Sequence, residues 1–97
     1  MPKPRDAVVN GAWPSGRIDE PVAAWYASRI AIAVQATLES QGLNPNEAAR
    51  QCGVDRETLV RVINGETYPD LVTLSALEVG LGTRLWPEGP VNGLPRK

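Results

Sequence analysis

Apolar residues recur every three or four positions in separate stretches of this chain, and each stretch is closed by a glycine. The longest repeat is Val22, Tyr26, Ile30, Val34 and Leu38, with Ala23, Ala27 and Thr37 beside it, which predicts one core-facing stripe on a long helix. Its start falls at 19–22, with Pro21 tolerated in the first turn, Asp19 and Glu20 at the positive end of the dipole, and Gly42 as the stop. Another face carries Trp25, Arg29, Ile32, Ala36 and Glu39 at the same spacing. Trp25 and Ile32 have no evident core to enter there, so packing against the N-terminal segment and contact with a second subunit both stay open.

Residues 44–65, NPNEAARQCGVDRETLVRVING, read as two short helices joined by a tight turn. Asn44 can cap the first, Pro45 suits its first position because the missing N–H is not needed there, and Glu47 completes a capping box. Ala48, Ala49 and Cys52 give it a narrow inner face, and Gly53 supplies the positive φ that ends it. Asp55 can cap the second helix, whose apolar residues Leu59, Val62 and Ile63 share one side while Arg56, Glu57, Val60, Arg61 and Asn64 lie elsewhere; Gly65 stops it. Residues 67–69 form a loop. Asp70 then caps a further helix in which Leu71, Leu74, Leu77 and Leu81 face inward and which Gly82 ends. Gly80 inside it costs about 1 kcal/mol relative to Ala, so it marks a close helix contact or an early stop. Leu85 and Trp86 suit a core or an interface, but Pro87 cuts short any helix begun at Thr83.

The first twenty residues hold Pro2, Pro4, Gly11, Pro14 and Gly16, too many breakers for a regular element apart from a short extended piece at Val8 and Val9. Residues 1–18 therefore read as an arm, 19–87 as the folded domain and 88–97 as a flexible tail. Lys3, Arg5 and Arg17 of the arm could reach a phosphate; the plainer reading is a frayed terminus in which Asp6, Asp19 and Glu20 balance those charges. Trp13 argues for docking, since an exposed indole in a loose tail is wasteful.

At 97 residues the chain has room for one small helical core, near the size where oligomerisation helps. One cysteine excludes an internal disulfide, and the absence of histidine leaves a zinc site without its usual ligands; no cofactor is expected. The four serines have no histidine to activate them and no glycine-rich phosphate loop follows a strand, so nothing supports an enzyme. The start lacks the uninterrupted apolar core of a signal peptide and the apolar run 22–36 is too short to span a bilayer, which predicts a cytoplasmic protein. A net charge of −1 argues against an indiscriminate polyanion binder, though not against a specific reader with well-placed arginines.

Ala49 at a small position, Gly53 at the turn, buried Leu59 and Val62, and the passage NGETYPDLVTL together resemble the helix-turn-helix of the Cro/phage-repressor (XRE-like) DNA-binding family, over residues 30–86. The resemblance implies an all-α, lambda-repressor-like bundle of four to five short helices whose second motif helix enters the major groove N-terminus first. On that implication Arg56, Glu57, Thr58, Val60 and Arg61 reach base edges. Arginine pairs with guanine, glutamate accepts from cytosine N4, and Val60 or Thr58 touches a thymine methyl, for a site rich in G·C pairs. Asn44, Asn46, Asn64, Thr67 and Tyr68 are the phosphate contacts. Pro45 replaces the family's usual glutamine, so Asn46 takes its part. Outside the motif, the same arginines and glutamate would be a solvated face with a weak ion pair. Trp13, Trp25, Ile32, Leu85 and Trp86 are candidates for a dimer or partner interface.

The implied protein is a regulator that binds double-stranded DNA as a homodimer and represses transcription. An antitoxin that also holds a toxin, and an interaction module of the same fold that binds protein instead of DNA, are the alternatives.

Overall fold

In the computed structural model, which describes residues 2–89, helix α1 (Val22–Gln41) is followed by α2 (Pro45–Cys52), α3 (Arg56–Ile63) and α4 (Leu71–Leu81). Each short helix begins on the side chain expected of it. Asn44 accepts the Glu47 N–H at 2.8 Å while the Glu47 carboxylate accepts the Asn44 N–H at 2.9 Å, a complete capping box. Asp55 accepts from Thr58 N–H at 3.3 Å and Asp70 from Thr73 N–H at 2.7 Å. Gly42, Gly53 and Gly82 end α1, α2 and α4 in the left-handed conformation.

The core joins Ile30, Val34 and Leu38 of α1 to Ala48 and Ala49 of α2, Leu59 and Val62 of α3, and Leu74, Leu77 and Leu81 of α4. Burying each large aliphatic side chain contributes about 1.5–3 kcal/mol. Leu85, from the segment after α4, is 2% exposed and completes this core, so its place as an interface candidate is corrected. The α2–α4 crossing is close because Gly80 has no side chain: a Cβ there would lie 2.6 Å from the Cα and Sγ of Cys52. Gln51 Nε2 donates to Gly80 O at 2.9 Å across the same crossing. The Cys52 thiol is half-buried in this contact, and burial pushes its pKa up, away from reactivity.

Some expectations are corrected. Leu71 is 78% exposed: at 100° per residue it stands about a quarter turn off the face shared by Leu74, Leu77 and Leu81, in the first turn of the helix. Val22 is also exposed, at the first position of α1, with Asp19 and Glu20 just ahead of the N-cap Pro21. The segment 83–87 forms no fifth helix.

The N-terminal segment is not frayed, and it adds a small sheet to an otherwise helical fold. A 3-10 turn (Pro4–Ala7) leads into β1 (Val8–Asn10), which pairs antiparallel with β2 (Arg17–Ile18) through the partners Val8↔Ile18 and Asn10↔Arg17, with an irregularity in the register between Val8 and Asn10. Gly16 admits the tight hairpin, since a Cβ there would meet Val8 and the Asn10 carbonyl. Pro4 and Ile18 are buried, and the 3-10 turn packs along α1. Of the tail expected at 88–97, residues from 90 onward lie outside the described residues.

Candidate nucleic-acid interface

The turn at Gly53 sets the geometry of the candidate site. With φ of 71° it lets Val54 N–H reach back to Ala49 O at 3.0 Å, so the chain reverses within three residues and α3 leaves at an angle to α2. Ala48 and Ala49 are small and buried, which lets α3 seat Leu59 and Val62 against α2 and α1. The opposite side of α3 then faces solvent: Arg56, Glu57 and Arg61 are exposed, and Thr58 and Val60 are half-exposed at its margins. Arg61 Nη2 lies 3.0 Å from Glu57 Oε2, one helical turn away. That pairing engages Arg61, whereas Arg56, the cation of the first turn, stands exposed. An exposed pair of this kind contributes a few tenths of a kcal/mol to the fold.

The phosphate candidates are distributed less simply. Asn46 and Asn64 are exposed. Asn44 is exposed too, but its side-chain oxygen is taken by the capping box and the Glu47 carboxylate already occupies the N-terminus of α2. Anion binding there competes with an internal carboxylate, and Asn44 has its side-chain N–H groups free to donate. Thr67 Oγ1 donates weakly to Tyr68 O at 3.5 Å, and both residues are half-buried. Tyr68 lies in an apolar groove of about 660 Å³, with Val22, Tyr26, Ile30, Pro69 and Trp86 among its walls. Trp86 tilts over Tyr26 at 5.2 Å, Trp25 meets the same ring edge-on at 5.5 Å, and the Arg29 guanidinium sits 5.5 Å above Trp25. Trp25 and Ile32 are half-buried, whereas Trp86 is 48% exposed.

Trp13 sits at the far end of α3. Its Nε1 donates to Ile63 O at 2.8 Å, and Arg5 N–H donates to Gly65 O at 3.0 Å. The Arg5 guanidinium comes within 3.9 Å of Glu66, offsetting an acid that stands beside the phosphate candidates Asn64 and Thr67. The indole is docked, as its cost in a loose tail suggests, but neither its partner carbonyl nor the role of Arg5 was legible, because the contacts join residues about fifty to sixty positions apart. The outer face of α4 was missed as well: Val72 and Val79 are 79% and 82% exposed.

Among the described residues no group of three or more His, Cys, Asp or Glu side chains is placed to hold a metal ion, and no helix is long and apolar enough to cross a membrane. Two short helices crossing at a glycine turn, the second with its polar face exposed, define a helix-turn-helix protein. A helix-turn-helix family model matches residues 34–85, just over half of the chain, and the chain belongs to that family, of the Cro/phage-repressor (XRE-like) type, whose members are DNA-binding transcription regulators. Comparison with curated proteins and with solved structures gives no match.

Proposed function

We propose that this protein is a sequence-specific transcriptional repressor that occupies a two-fold operator as a homodimer, with half-sites about one helical turn apart. The observation that carries the reading is the exposure of Arg56, Glu57 and Arg61 on the first two turns of α3, with the hydrophobic side of the helix fully engaged. Arg56 and Arg61 read guanine, Glu57 accepts from cytosine or holds Arg61 in place, and Thr58 and Val60 contact thymine methyls. Asn46, Asn64 and Thr67, with the Asn44 amide, contact phosphates on either side and fix the register. Each bidentate arginine contact contributes about 1–3 kcal/mol of discrimination, enough to matter on a chain of net charge −1. Exposed Leu71, Val72 and Val79 on α4 support self-association, since a small monomer seldom leaves such a group bare.

The acidic balance supports a second reading, the same fold as a protein-binding module, with an antitoxin combining both activities. Mobility-shift titration of genomic fragments at moderate salt separates them. A specific shift lost in both Arg56→Ala and Arg61→Ala is the result expected of a repressor; no shift on any fragment from a folded chain favours the interaction module.

A further inference from the structure

We propose that Trp13 is a positioning residue for DNA recognition: its indole locks the C-terminal end of α3 and thereby fixes the angle at which Arg56 and Arg61 meet a duplex. The inference rests on the DNA-binding reading above and adds to it a residue remote from the reading face.

An eight-residue helix has little rigidity of its own, and its last four carbonyls need partners from outside the ladder. Val60, Arg61 and Val62 find theirs in the following turn, from the N–H groups of Asn64, Glu66 and Gly65 at 2.9, 2.9 and 3.3 Å. Ile63 O takes its bond from Trp13 Nε1 at 2.8 Å. The same indole lies against the bare Cα of Gly65, where a Cβ would come within 2.5 Å of the ring and 2.9 Å of Arg5 Cβ. Gly65 O in turn accepts from Arg5 N–H. The 3-10 turn and the hairpin together therefore hold the end of α3 at two carbonyls and one glycine face. They are themselves fastened by buried Pro4 and Ile18 and by the packing of the 3-10 turn on α1. Leu59 and Val62 seat the middle of α3 on α1 and α2, and the N-terminal segment holds the C-terminal end of the helix against that seat. Bidentate pairing with guanine tolerates little displacement, whereas contact with phosphates tolerates much more.

That asymmetry separates positioning from simple bracing. A brace protects the folded fraction, and its loss lowers every affinity alike; a positioning residue changes the ratio of cognate to random DNA. The full chain and its Trp13→Phe and Trp13→Ala variants are titrated by fluorescence anisotropy against the duplex that the wild type selects from a random pool and against a scrambled duplex of equal length. Circular dichroism fixes a temperature at which each variant is fully folded. Trp13→Phe keeps an aromatic ring beside Gly65 while removing the N–H donor and the second ring, so it carries the test if Trp13→Ala does not fold. The expected result is a loss of about ten-fold for the selected duplex in Trp13→Ala and a smaller loss in Trp13→Phe, with the scrambled duplex unchanged within about two-fold. Parallel losses on both duplexes, or no loss on either, overturn the positioning role while leaving the DNA-binding reading intact. A wild type that selects no duplex overturns both.

Discussion

The two ends of α3 are built by different kinds of contact. At the N-terminal end everything is local: Asp55 caps the helix three residues ahead of the amide it serves, Gly53 turns the chain, and Arg56 and Glu57 stand in solvent. At the C-terminal end the partners come from another part of the chain, with Trp13 on Ile63 and Arg5 on Gly65. An end left bare is available to a ligand, and an end clasped by tertiary contacts gives that ligand a fixed frame. The contrast can be broken from either side.

The largest effect is expected at Gly65. Its φ of 71° and its contact with the indole both exclude a side chain, so Gly65→Ala should cost about 2–4 kcal/mol through backbone strain and displacement of Trp13. Urea unfolding measures this; a loss under about 0.5 kcal/mol would mean that the clasp does not hold. Gly80→Ala sharpens the comparison at a crossing remote from the reading face. The helix gains about 1 kcal/mol of propensity, but the new methyl meets the backbone of Cys52, so a net loss of about 1–2 kcal/mol is expected, with sequence preference unchanged in binding assays.

Acid should act through α4. Asp70 accepts the Thr73 N–H, and Glu78 accepts the N–H groups of Leu85 and Trp86 at 2.9 and 3.0 Å, bonds that hold both carboxylates below their ordinary pKa values. The folded state thus binds these protons less readily than the unfolded chain. Their stabilisation is complete above the ordinary carboxylate values and is lost as pH falls through the depressed ones. Urea midpoints measured from neutral pH down to about pH 3 should decline, and Glu78→Gln should flatten the decline. The smallest effect on folding is expected at the bare end of α3: Arg61→Ala or Glu57→Ala should shift stability by no more than about 0.5 kcal/mol in thermal melts, while Arg61→Ala removes selective DNA binding.

What could be read from the sequence follows the same division. The caps at Asn44, Asp55 and Asp70 and the turn at Gly53 depend on residues within four positions, so the motif and its exposed face were legible, whereas Gly80 left a close contact and an early stop both open until the α2–α4 crossing decided for the contact. Leu71 misled because helical spacing alone does not say where the packed face begins. Composition marked residues 1–18 as breakers, but breakers also build hairpins, and a two-strand pair leaves no periodic trace. The bond from Trp13 to Ile63 depends on how distant segments come together, as does the burial of Leu85. The family match, over residues 34–85, covers neither the hairpin nor the first turns of α1.

Selection of bound duplexes from a random DNA pool by the 97-residue chain tests the central claim most directly. The account predicts enrichment of a two-fold site with G·C-rich half-sites about one helical turn apart, and loss of that enrichment in Arg56→Ala. A folded protein that enriches no sequence, or one whose preferred site is unaltered by Arg56→Ala and Arg61→Ala together, would contradict it.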